Sequence, residues 1–86
     1  MGQRNEQNGD PRPNHENIAK LWNAYLSTSR FQWGDMVELE PSDVAAMMTL
    51  FKIARSCEGE FNLDDYLDAA AYAAITGELR DQEEGE

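Results

Sequence analysis

The stretch Asn14-His15-Glu16-Asn17-Ile18-Ala19-Lys20-Leu21-Trp22-Asn23-Ala24-Tyr25-Leu26 decides the fold class. Ile18, Leu21, Trp22, Tyr25 and Leu26 recur at the three- and four-residue spacing of one continuous helical stripe. Glu16, Lys20, Asn23 and Ala24 lie off that stripe, and Glu16 precedes Lys20 by the four residues that favour a weak ion pair. Asn14 reads as the N-cap, with Glu16 and Asn17 in the first turn. An amphipathic helix of this kind is stable only against neighbours that cover its apolar side.

Downstream, the chain offers two such neighbours. Pro41 is suited to the first position of a second helix, capped by Glu40 or Ser42, with Asp43 in its first turn. Val44, Met47, Met48, Phe51 and Ala54 form one apolar stripe, and Leu50, Ile53 and Cys57 an adjacent one, so this helix is expected to be central. Lys52, Arg55 and Ser56 mark its exposed side. Glu58-Gly59-Glu60 closes it, the glycine standing where a left-handed residue is common. Asn62 then caps a third helix, with Leu63, Tyr66, Leu67, Ala70, Ala74 and Ile75 expected on its buried side. Gly77 is expected to end it, and Glu78 to Glu86 to form a frayed acidic tail.

Between the first two helices, Arg30 to Glu40 is ambiguous. Phe31 and Trp33 alternate with polar residues, Gly34-Asp35 suits a tight turn, and Val37 and Leu39 alternate again. A short β-hairpin fits this pattern, and so does an ordered loop. The loop is preferred, because an isolated hairpin is marginal in water. Ahead of the first helix, Met1 to Asp10 carries no apolar residue after Met1, and Pro11 and Pro13 stiffen the approach. The expected organisation is an N-terminal arm over 1–12, a helical domain over 13–79 and an acidic tail over 80–86. The fold class is all-α, a compact three-helix bundle with an irregular insertion.

Eighty-six residues suffice for one domain. Cys57 is the single cysteine and His15 the single histidine, which excludes an intrachain disulfide and a structural zinc site. A reducing cytoplasm is the expected location, since no apolar run approaches membrane-spanning length and the N-terminus is polar rather than signal-like. Seventeen acids against seven bases give a net charge of −10. That balance argues against direct nucleic-acid binding, which needs a basic face. It fits solubility, a basic protein partner or a saline cytoplasm.

Chemistry-bearing residues are few. Asp64, Asp65 and Asp68 open the third helix at spacings that allow them to share one divalent cation. Acids in a first turn also complement the helix dipole, which by itself explains Asp64 and Asp65. Lys52 and Arg55, three apart on the second helix, are candidates for holding a phosphate, and Tyr72 for presenting its hydroxyl beside Asp68. The ordinary alternatives are a solvated polar face and a core tyrosine with a wet tip. Phe31 and Trp33, in the irregular segment, are candidates for a partner-binding patch. Cys57, Met36, Met47 and Met48 read as core filling. A phosphate-cradling glycine loop, an HExxH helix and a nucleophile–base pair are all missing, leaving metal–carboxylate chemistry as the one open catalytic route.

The run from Asn8 through Leu26 resembles the opening of a small helical domain found in tailed-phage genomes, whose function is not established. The likeness continues through Glu40 to Met48, Lys52 to Arg55 and Asp68 to Ala74, covering about residues 8 to 77 with the blocks in order. It departs from that pattern at Asn8, where an aromatic is usual, and at Ala71, where a glycine is usual. That domain is in turn similar to the all-helical MazG-like nucleotide pyrophosphohydrolases, which hold magnesium with two acidic pairs on neighbouring helices. The resemblance maps one pair onto Asp65 and Asp68. The second pair has no counterpart here, Asp43 standing alone on the second helix.

The leading expectation is a small phage accessory protein that binds a host or phage protein without catalysis and without a cofactor. The alternative is a magnesium-dependent nucleotide-binding or nucleotide-hydrolysing domain using Asp64, Asp65 and Asp68 for metal and Lys52 and Arg55 for phosphate. A third reading is a DNA mimic that occupies a DNA-binding protein. No membrane association is expected, and a homodimer would be one way to bring two acidic pairs together.

Overall fold

The computed structural model describes residues 11–31 and 38–85. Over these the chain forms α1 (Pro11–Leu26), a short 3-10 turn (Ser29–Phe31), α2 (Pro41–Ser56) and α3 (Leu63–Gly85). Among the described residues there is no strand, and the all-α helical bundle stands. The proposed hairpin centred on Gly34-Asp35 lies outside the described residues, as do Trp33 and Met36.

Each helix starts for a local reason. Pro41 opens α2 behind Glu40, whose backbone is extended at φ −92° and ψ 164°. The Asp43 carboxylate reaches back to accept the Glu40 N–H at 2.8 Å, satisfying a donor that the helix itself leaves free. Asn62 Oδ1 accepts the Asp64 N–H at 3.0 Å and so caps α3 as expected. Gly59, between α2 and α3, has φ 65°, the left-handed geometry that a side chain penalises. The first helix differs from expectation in its start. It begins at Pro11, where a missing N–H costs nothing, so Asn14 lies in the second turn rather than at the cap.

α2 is the central helix, antiparallel to both neighbours. Asn17 Nδ2 donates to Glu58 Oε2 (2.6 Å), Trp22 Nε1 to the Met47 carbonyl (2.7 Å) and the Tyr25 hydroxyl to Asp43 Oδ1 (2.7 Å), fixing α1 along α2. On the other side Arg55 meets Asp65, Lys52 meets Asp68 and Ser42 meets Glu83. The stripe of α1 faces α2 as read, with Ile18 buried and Leu21, Trp22, Tyr25 and Leu26 half-buried.

The shortest dimension of the molecule is 17 Å. α1 and α3 each pack chiefly on α2 rather than on one another, so little of any helix is enclosed on all sides. The enclosed apolar residues are correspondingly small in number: Ile18, Ala45, Ala54 and Ala69. Ser42, Asp43 and Asp65 are buried beside them.

The third helix corrects two expectations. Its buried side is not Leu63, Tyr66, Leu67, Ala70, Ala74 and Ile75. Leu63 and Leu67 are 56% and 55% exposed, Tyr66 and Ile75 are also exposed, and Ala70 and Ala74 face solvent. The side toward α2 is Asp65, Ala69, Tyr72 and Thr76, continued by Leu79, Arg80 and Glu83. Asp65, Arg80 and Glu83 find partners on α2, and Ala69 permits close approach, so polar pairing sets the rotation of α3 against its apolar preference. Nor does α3 end at Gly77; it runs on to Gly85. Gly77 stands on the open side with nothing within 4 Å of where its Cβ would be, while Arg80 and Glu83 anchor the next turns to Ser42. Cys57, read as core filling, is exposed at the end of α2, and Val44 and Ile53 are exposed as well.

Candidate functional site

The sequence-singled residues of α2 and α3 come together as a two-rung ladder. Lys52 Nζ lies 3.0 Å from Asp68 Oδ2, and Arg55 Nε lies 3.5 Å from Asp65 Oδ1. Lys52 and Arg55 are three apart on one helix, Asp65 and Asp68 three apart on its antiparallel neighbour, so each cation finds one acid. Both cations also flank the Phe51 ring, at 5.7 and 5.9 Å from its centroid. Asp64 is exposed and outside the ladder. Among the described residues no group of three or more His, Cys, Asp or Glu side chains is arranged to hold a metal ion. Beside the ladder a hollow of about 320 Å³ is lined by Lys52, Asp68, Ala71, Tyr72 and Ile75. Tyr72 thus shares a concavity with Lys52 and Asp68, whereas Arg55 and Asp65 lie outside its lining. Phe31 packs edge-on against Tyr25, ring centroids 5.5 Å apart, and is half-buried.

A second cluster escaped the sequence reading. At the opposite end of α2, Asp43 is 1% exposed and is the node where all three helices meet. Its Oδ1 accepts from Arg30 Nε at 2.6 Å and from the Tyr25 hydroxyl at 2.7 Å, and its Oδ2 accepts from the Glu40 N–H. Arg30 Nη2 also reaches Glu40 at 2.8 Å. From α3, Arg80 Nη2 approaches the Tyr25 hydroxyl at 3.4 Å, and its Nε donates to Ser42 Oγ at 3.1 Å. Glu83 accepts from both the Ser42 hydroxyl (2.6 Å) and the Ser42 backbone N–H (3.0 Å).

Burial alone would raise the Asp43 carboxyl pKa. Donation from Arg30, Tyr25 and the Glu40 amide outweighs it and holds the group at about 2. The same bond to Asp43 raises the Arg30 pKa above its ordinary value, and burial together with Asp43 raises that of Tyr25. Both carboxylate oxygens of Asp43 accept hydrogen bonds, so the node clasps the helix ends together. Two signals could have exposed it: an acid three residues beyond Glu40, and an Arg80–Glu83 pair at helical spacing beyond Gly77.

The third feature is the outward face of α3. Leu63, Leu67, Ala70, Ala74, Gly77, Asp81 and Glu84 follow one another at alternating spacings of four and three and so share one face, apolar from Leu63 to Ala74 and acidic at Asp81 and Glu84. All seven positions are exposed. Phe61 and Tyr66 stack at 5.9 Å beside its N-terminal end and are themselves exposed, Phe61 by 76%.

Residues 1–80 match the DUF6378 family model, described as a domain of unknown function. The chain belongs to the DUF6378 family. Two phage proteins are similar to the chain. The chain is 42% identical over 79 residues to the Gene 55 protein of Mycobacterium phage L5 and 35% identical over 81 residues to the Gene 55 protein of Mycobacterium phage D29. These alignments cover 92% and 94% of this chain but 46% and 48% of the relatives, so the DUF6378 chain spans about half the length of the curated proteins it matches. No solved structure matches it. No helix among the described residues is long and apolar enough to cross a membrane.

Proposed function

We propose that this chain is a non-catalytic binding module of a phage protein, docking a host or phage protein through the outward face of α3. One observation carries the reading: the most regular apolar seam in α3 faces solvent, while polar pairs occupy the side against α2. Leu63 and Leu67 are both more than half exposed on one face, which supports a partner there.

Capture from infected host lysate tests this, with the intact chain and a Leu67→Asp variant compared. Leu67 is more than half exposed, so the variant is expected to keep its helical circular dichroism. A protein retained at stoichiometric level by the parent and lost from the variant is the expected result. Equal capture by both, or no partner at all, would sink the proposal.

A nucleotide-binding reading draws on the hollow, where Lys52, Asp68 and Tyr72 stand together. It receives less support than the seam, because Lys52 and Arg55 are each beside one of the carboxylates that would have to hold magnesium. Incubation with nucleoside triphosphates and magnesium, followed by pyrophosphate detection, separates the two readings. Product formation abolished by Asp68→Asn would favour the nucleotide.

A further inference from the structure

The outward face of α3 changes character along its length, and this specifies the partner. From Leu63 to Gly77 the seam is apolar and becomes progressively smaller, two leucines giving way to Ala70, Ala74 and Gly77. Beyond it come Asp81 and Glu84 on the seam itself and Glu78 at its edge. α3 carries seven acids and a single base, Arg80. Asp65, Asp68 and Glu83 are engaged with Arg55, Lys52, Ser42 and Arg80. Asp64, Glu78, Asp81 and Glu84 are exposed and form no ion pair among the described residues. The face is therefore half greasy and half anionic.

We propose that the occupant of this face is a basic amphipathic helix from another protein. It would place large apolar side chains over Ala70, Ala74 and Gly77, where the small residues leave room, and lysines or arginines against Glu78, Asp81 and Glu84. The inference rests on the docking role of α3 given above and adds the chemistry of the partner. A seam from 63 to 84 is roughly 30 Å long, so the matching segment is about six turns. A second copy of this chain is a poor occupant. Aligned in parallel, it sets Asp81 on Asp81 and Glu84 on Glu84. Aligned antiparallel over the whole seam, it buries Asp81 and Glu84 against Leu67 and Leu63. Like charges or desolvated carboxylates result either way.

The test uses two synthetic helical peptides of about six turns. Both carry leucine at alternating three and four spacing; one has lysines around the seam in one half, the other glutamates at the same positions. Fluorescence anisotropy is read with the full chain, with Leu67→Asp and with the charge-reversed Asp81→Lys/Glu84→Lys variant. The lysine peptide is expected to bind the full chain on the order of tenfold more tightly than the glutamate peptide, and to weaken by a similar factor on going from low to high salt. Charge reversal should invert the preference between peptides. Equal affinity for the two peptides, or a preference unmoved by charge reversal, overturns the basic partner while leaving an apolar docking face intact. Unchanged binding of the lysine peptide to Leu67→Asp overturns the docking face itself. A dimer of the chain alone in sedimentation, lost in Leu67→Asp, overturns the heterologous partner in favour of self-association.

Discussion

Replacing Asp43 by Asn removes the one charge on which three helix ends converge. In the folded chain the carboxyl is held at about 2, against an ordinary value of 3.8. Each tenfold change in proton affinity corresponds to about 1.4 kcal/mol, so the ionised group contributes about 2 kcal/mol at neutral pH. The amide keeps one acceptor oxygen but aims an N–H₂ at donors already in place, Arg30 Nε, the Tyr25 hydroxyl or the Glu40 amide. Arg30 is a quarter exposed, so water relieves part of that loss and the total cost stays near 2–3 kcal/mol. A domain of this size holds only about 5 kcal/mol or little more, and its melting point moves about 4–8 °C per kcal/mol. Urea unfolding of parent and Asp43→Asn, followed by far-ultraviolet circular dichroism from pH 7 to pH 2, measures the gap. The folded pKa is depressed, so the contribution is complete above about 3.8 and disappears as pH falls through about 2. The gap should therefore be widest at neutral pH and narrow steadily below pH 4, other carboxylates cancelling between the two proteins. Midpoints that coincide at pH 7, or a gap that persists unchanged on acidification, would refute the clasp.

Two further substitutions check the packing. Gly77→Ala should stabilise the chain by about 0.5–1 kcal/mol, because a helical glycine with open space around it gains from a methyl; a helix ending there in left-handed geometry would instead be destabilised, so the sign of the urea shift decides. Trp22→Phe should cost about 1–2 kcal/mol through the lost bond to the Met47 carbonyl and the smaller ring, measured in the same titration; no loss would mean that α1 is not pinned to α2 at this point.

The three helices were legible because their causes are local. The stripe from Ile18 to Leu26, Pro41 behind Glu40, Asn62 as a cap and Gly59 as a left-handed breaker act within a few residues of themselves. The ladder was half legible: spacing put Lys52 with Arg55 and Asp65 with Asp68, and antiparallel packing then paired each cation with one acid instead of gathering the acids around a metal. Gly77 misled because a glycine signals a stop only if the following residues have nothing to hold, and Arg80 and Glu83 hold Ser42.

What the sequence determined alone is the kind of element at each place, since turn chemistry and helical periodicity need no knowledge of the neighbours. Which side of α3 faces inward was a tertiary decision. Apolar side chains at helical spacing say only that a face wants cover, whereas buried carboxylates and hydroxyls demand particular partners at hydrogen-bond distance. The polar side of α3 found those partners on α2, and the leucines were left to the outside.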